Sequence, residues 1–263
     1  MLKLRTTIIF RLLILFFVVN SCTKKEDFSK IKILGHAGNG LNISNSMYHD
    51  NSLNSIHLAV SQAGCDGVEI DVQLSKNGTA WLFHDTNLKK EANLDACVNS
   101  TSDSELEQLS YNHFNDEKLL KLNDLSLSTK TLFLDLRHYN YCSETVVDLN
   151  EFISELLLFR EQNLTCVIYV CTNFIEWIIP LQNEGLKVCF APNSKSEYDE
   201  KNANAFLFKN AEISKSEVEA FQNAGKEVFI FELRSPKGIR SALRKHPNCI
   251  VSDDIKAAII EKY

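Results

Sequence analysis

Gly67-Val68-Glu69-Ile70-Asp71-Val72 is the stretch that decides the fold. Val68, Ile70 and Val72 alternate with two acids, and side chains two residues apart leave the same face of a strand. One face is therefore apolar and the other carries Glu69 and Asp71. A barrel strand is covered by helices on its outer face, which turns the carboxylates toward the barrel interior or its mouth. Two carboxylates there repel, and the least costly remedy is a hard divalent cation held by oxygen ligands.

Outward from this stretch, apolar and β-branched runs recur at 31–35, 68–72, 131–136, 166–171, 186–190, 205–208, 227–233 and 249–252. Leu53, Ile56, Val60 and Ala63 share one helical face, with Gly64 as a stop. Helical patterns follow at 146–160, 174–183, 214–223 and 236–245. Eight strands in a βα rhythm predict an α/β chain folded as a (β/α)8 TIM barrel over residues 31–263. An open doubly wound sheet is the alternative, but no Gly-rich nucleotide loop follows any strand. Residues 73–128 break the rhythm. They hold a short strand at 79–83, one helix near 103–109 and much Asn, Asp and Ser, so a small insertion after the second strand is expected at the rim where such barrels do their chemistry.

The N-terminal residues read as a targeting segment. Lys3, Arg5 and Arg11 are followed by the apolar run 12–19 and then Asn20-Ser21-Cys22, a charged region, a short apolar region and small residues at a cut site. The apolar run is too short to span a bilayer comfortably; a plain secretory signal and a residual anchor helix are the alternatives to a lipoprotein signal. Val19-Asn20-Ser21-Cys22 resembles a bacterial lipobox, which implies cleavage after residue 21, a lipid on Cys22 and a polar tether over 22–30. The chain is then expected to be an exported lipoprotein, membrane-anchored through its lipid, in the periplasm or at the cell surface. The net charge is −6, and loss of the three basic residues leaves the body more acidic still. Such a body is a poor match for nucleic acid, and a phosphate-bearing substrate must be met by local positive charge. Of the eight cysteines, the seven after Cys22 match no zinc spacing. Cys166, Cys171, Cys189 and Cys249 lie in apolar runs and read as small buried hydrophobes.

Polar residues gather where the early strands end. The first runs into Gly35-His36-Ala37-Gly38, and the inserted strand ends in His84-Asp85. In Leu134-Asp135-Leu136-Arg137 an acid interrupts an apolar strand, offering a third oxygen ligand beside Glu69 and Asp71. Arg137, on the same face, can neutralise a carboxylate or hold a phosphate oxygen. His49, His57, His113, His138 and His246 read as structural, whereas His36 and His84 each close a strand at the same rim.

His36-x-Gly38, Asp50-Asn51-Ser52, Glu69-Ile70-Asp71-Val72, His84-Asp85 and Asp135-Leu136-Arg137 resemble, in order, the motifs of the glycerophosphodiester phosphodiesterases, and Ser252-Asp253 resembles that family's closing T-D. The resemblance spans residues 31–255. It implies one Ca2+ or Mg2+ bound by Glu69, Asp71 and Asp135, His36 and His84 as general acid and base, and Arg137, Asp50 and Asn51 toward a small phosphodiester substrate derived from a phospholipid headgroup. The chain departs from the pattern at Ala37 (usually Arg), Asp50 (usually Glu), Asp135 and Arg137 (usually Glu and Lys), and with Glu232 and Arg234 in a segment that usually reads W-T-V-N. Asp135 is a methylene shorter than Glu, so the ion site must contract or take up a water. Two other activities share these residues: a lyase or phospholipase forming a cyclic phosphate, and a catalytically silent ligand-binding barrel on the surface.

Overall fold

The alternation around Glu69 becomes β2, Gly67–Leu74, a strand buried along its whole length. The computed structural model describes residues 26–41, 46–114, 117–138, 147–193 and 202–263. The segment expected to direct export (1–21), Cys22 and residues 23–25 of the tether lie outside the described residues. Val68, Ile70 and Val72 pack outward against the helices. Glu69 and Asp71 point into the barrel, so the two-residue period of the strand separates greasy from charged.

The other parallel strands are β1 (Lys32–Gly35), β5 (Thr131–Leu136), β6 (Val167–Thr172), β7 (Lys187–Phe190), β8 (Ala205–Lys209), β9 (Glu227–Leu233) and β10 (Cys249–Ser252). Each pairs with its neighbour in order, and β1 pairs with both β2 and β10, which closes the eight strands into a barrel. The closing register is Leu34 beside Gly67 on one side and Lys32 beside Cys249 on the other. Gly67 is required there, because a Cβ would lie 1.8 Å from the Thr131 carbonyl oxygen.

Among the described residues six helices cover the outside: α1 (Leu53–Ser61), α2 (Leu149–Gln162), α3 (Ile175–Asn183), α4 (Lys215–Asn223), α5 (Pro236–Leu243) and α6 (Ile255–Lys262). Several start where a side chain satisfies an open N–H: Ser52 caps α1, Asp148 caps α2 and Asp254 caps α6. Asp148 explains why α2 begins at 149 rather than 146. At the far end of α5 Arg244 forms the cap and His246 takes φ 55, so that helix stops short of 245. α6 has no clear signature in the sequence, because its hydrophobic residues make no clean stripe. The shell between helices and strands holds Phe152, Phe159, Phe206 and Phe208, while Leu34, Phe133, Tyr169 and Phe229 fill the barrel itself. Each such side chain contributes about 1.5–3 kcal/mol by burial, which fixes the strands that carry the polar residues.

Between β2 and β5 the chain leaves the barrel. β3 (Ala80–Leu82) pairs antiparallel with β2, and the two-residue β4 (Leu120–Lys121) pairs with β3. Two one-turn helices, Lys89–Ala92 and Asp103–Leu106, lie between them. This insertion has its own small core of Trp81, Phe83, Leu88, Val98, Leu106 and Tyr111. It is a packed unit with a defined position against β2, and its first strand delivers His84 to the rim. Among the described residues no helix is long and apolar enough to cross a membrane.

Candidate active site

A cavity of about 620 Å³ opens at the carboxyl ends of the strands, lined on one side by His36, Glu69, Asp135 and Arg137. The β1 turn brings the first of these into place. Gly38, at φ +94, lies so close to α1 that a Cβ would meet Ser55 Oγ at 2.7 Å. This tight turn seats His36 where β1 adjoins β10, and His36 Nδ1 hydrogen-bonds the carboxylate of Asp253. Its Nε2 lies 3.7 Å from Glu69 Oε2.

Glu69, Asp71 and Asp135 can bring one oxygen each within 4.8 Å of one another. At an effective dielectric of about 20, each pair of charges at that separation repels by roughly 3 kcal/mol, more than the ~1 kcal/mol net of an ordinary hydrogen bond. Glu69 Oε2 accepts the backbone N–H of Ala37 at 2.8 Å. Asp71 is fully buried; its Oδ2 accepts Asn51 Nδ2 at 2.8 Å, and its Oδ1 accepts Arg137 Nε at 2.7 Å. Arg137 Nη2 reaches Asp71 Oδ1 at 2.6 Å and Asp135 Oδ2 at 3.0 Å.

Burial and the charge of Asp71 push the Glu69 carboxyl up to about 8. Burial also raises Asp135, only partly offset by Arg137. Asp71 goes the other way: burial opposes its ionisation, but Arg137, His84 and Asn51 together hold it below the ordinary carboxylate range. For His36, burial disfavours the imidazolium, and the Asp253 hydrogen bond and the charge of Glu69 overcome it, raising the group to about 9. Three oxygen-only ligands, one of them unable to ionise readily at neutral pH without a partner, are a fitting donor set for a hard divalent cation.

His84 does not line the cavity wall that His36 lines; it is half-exposed at the insertion's edge, near enough to stabilise the charge on Asp71. Its Nδ1 pairs with Asp85 Oδ1 at 2.8 Å. Buried Gln73 on β2 donates to the carbonyls of Phe83 at 2.8 Å and Asp85 at 2.9 Å, clamping the backbone on either side of the imidazole. Asn51 reaches Asp71 rather than the cavity. Asp50 turns to His49, with Oδ1 2.5 Å from Nδ1. Ala37 is buried beside Glu69, so no cation projects into the cavity from that position. The opposite wall carries Lys209, Glu212 and Phe231, and Lys209 Nζ lies 3.5 Å from Glu232 Oε1.

Sequence reasoning passed over Asp253 as a partner of His36 and Gln73 as the clamp on His84. Asp253 had a signal, a carboxylate at the end of the last strand. Gln73 had none, because nothing in the sequence separates it from any other inward polar residue. His138, read as structural, lines the cavity while packing on Phe174 at 3.8 Å, and burial lowers it to about 4.

A sequence model described as the glycerophosphoryl diester phosphodiesterase family matches residues 36–171, just over half of the chain. No curated protein matches the chain. Among similar solved structures, an Oleispira antarctica phosphodiesterase in complex with the product sn-glycerol-3-phosphate shows 17% identity and a TM-score of 0.72, covering 88% of this chain and 96% of its own. A glycerophosphodiester phosphodiesterase from Parabacteroides distasonis shows 16% identity and a TM-score of 0.70, with 88% and 97% covered. One from Thermotoga maritima shows 19% identity and a TM-score of 0.64, with 86% and 96% covered. At these identities the likeness establishes the barrel fold.

Proposed function

Because this chain belongs to the glycerophosphoryl diester phosphodiesterase family, we propose that it hydrolyses a small glycerophosphodiester to an alcohol and glycerol phosphate, using one divalent cation and two histidines. The observation that carries this reading is the convergence of three carboxylates, with Glu69, Asp135 and His36 lining the cavity and buried Asp71 behind them. Glu69, Asp71 and Asp135 are the residues that would hold Ca2+ or Mg2+, both of which prefer oxygen ligands. When bound, such an ion would neutralise the phosphodiester's anionic oxygens and, as a Lewis acid on those oxygens, make phosphorus more open to attack.

The chain's own residues handle the protons. Asp253 occupies His36 Nδ1, so Nε2 is the position from which His36 protonates the leaving alkoxide. His84, oriented by Asp85 and clamped through Gln73, accepts the proton of the attacking water. The water oxygen bonds to phosphorus as the phosphorus–alkoxide bond breaks. Assaying release of alcohol from choline, ethanolamine and glycerol diesters of glycerol phosphate, with and without a chelator, tests the reading. Turnover of at least one diester that a chelator abolishes supports it, and metal-independent or absent turnover across the panel counts against it.

The same reading includes export and anchoring. Support comes from Val19-Asn20-Ser21-Cys22, and from Cys97, which is disulfide-bonded, as befits an oxidising compartment. Residues 26–31 enter at the base of the barrel, where Glu26 Oε2 lies 3.6 Å from Arg244 Nε and Phe28 packs on His246. A lipid on Cys22 would then attach on the side of the barrel opposite the cavity, an arrangement suited to a diffusible, deacylated substrate.

A further inference from the structure

The site meets its own charge with a side chain. Arg137 touches two of the three carboxylates through three contacts of 2.6–3.0 Å, and Asp71, the deepest of them, has one oxygen on Arg137 and the other on Asn51. Asp71 is fully buried, so neither oxygen is left to water. Both Arg137 contacts to Asp71 fall on Oδ1, so an ion drawing on that oxygen competes with the guanidinium, while Oδ2 accepts from Asn51 and keeps a second lone pair. Asn51 is the harder to move: it also accepts the Asp71 backbone N–H at 2.9 Å, a two-point lock between the α1 approach and β2. Arg137 is half-buried and already lines the cavity, whereas Asn51 is buried. Leaving the guanidinium in place beside a divalent ion would set two cations against each other across the same oxygens.

We propose that Arg137 is an internal counter-cation that competes with the divalent ion for Asp71 Oδ1 and Asp135 Oδ2, so that the ion enters as the guanidinium swings into the cavity. The inference rests on the proposed function in taking these acids as the ion's ligands. It ties ion binding to the arrival of a planar, phosphate-matching cation in a cavity where Ala37 supplies none. An arginine is suited to this exchange because its fork spans two carboxylates, whereas a lysine ammonium is a point charge.

Calorimetric titration of Ca2+ and of Mg2+ into the metal-free, full-length protein tests it without any measurement of turnover. Arg137→Gln should bind the ion roughly tenfold more tightly than the unaltered protein. Its metal-free melting temperature should fall, and the rise on adding the ion should grow. Arg137→Lys, which retains the charge on a single point of contact, guards against a variant that does not fold without metal; its dissociation constant should lie below that of the unaltered protein. Unchanged or weaker binding in both variants would overturn the competition. Glu69→Gln separates the two levels of the argument: if it binds as tightly as the unaltered protein, the acids are not the ion's ligands and the proposed function fails. If it loses binding while neither Arg137 variant gains, the exchange alone fails.

Discussion

His36 Nδ1 hydrogen-bonds the carboxylate of Asp253, 217 residues away in the chain, at the seam where β1 meets β10. Barrel closure thus assembles the proposed acid from the two ends of the fold. Asp253 is nearly fully buried, and its other oxygen lies 3.5 Å from Arg234 Nε. Asp253→Asn keeps the shape and removes the charge. The expected result is a fall in kcat of about ten- to a hundredfold with KM little changed, and a high-pH limb of the rate profile displaced to lower pH. An unaltered profile would show that Asp253 only fills space.

The two imidazoles are held differently, and the proposed scheme uses both. His36→Ala and His84→Ala should each lower turnover by about 10²-fold or more, with circular dichroism unchanged. Near-normal rates in either variant would sink the two-histidine scheme. Gln73→Leu leaves His84 in place but frees the carbonyls of Phe83 and Asp85, so kcat should drop by a smaller factor in that variant.

In chelator the site is expected to have a definite pH signature. The Glu69 carboxyl, raised by burial and by Asp71, titrates near 8, and His36, raised by Asp253 and Glu69 against the effect of burial, titrates near 9. A group whose folded value lies above its unfolded one contributes stability that is complete below the unfolded value and is lost as pH climbs through the folded one. For Glu69 that loss runs from about 4.5 to 8, and for His36 from about 6.5 to 9. The melting temperature in chelator should therefore fall between pH 6 and 9, on the order of the range set by these groups. Saturating Ca2+ or Mg2+ should flatten that fall, because an ion favours ionised Glu69. A melting temperature that rises with pH in chelator would contradict the assigned environment.

Much of this was legible in the residues. The eight barrel strands announce themselves as apolar runs, and the alternation in 67–72 tells which face carries the acids, because a period of two leaves no other arrangement once helices cover the outside. β4, at two residues, is too short to have a period, and α6 buries only one ragged edge. The Asp253 contact depends on which strands meet at closure, and the Arg137 contacts depend on a register that sets Asp71 beside Asp135. Neither is local. Asp50 shows the opposite limit: its position in the motif suggested the cavity, but the stacking of His49 on Tyr111, 3.7 Å away, turns the pair toward the insertion.

Anchoring has its own test. In an exporting bacterial host supplied with labelled fatty acid, the full chain should take up label and partition with membranes, and Cys22→Ala should do neither. Label retained by Cys22→Ala would rule out that residue as the lipid site.

Metal-assisted attack of water at phosphorus is the core of the proposed reaction. Phosphorus NMR of the product formed from a glycerophosphodiester in ¹⁸O-water, with Mg2+ or Ca2+ and again with chelator, reads this directly. The expected result is a glycerol phosphate resonance carrying the ¹⁸O shift, present with the ion and absent with chelator. A cyclic phosphate as the product, or the same glycerol phosphate signal in chelator, would contradict it.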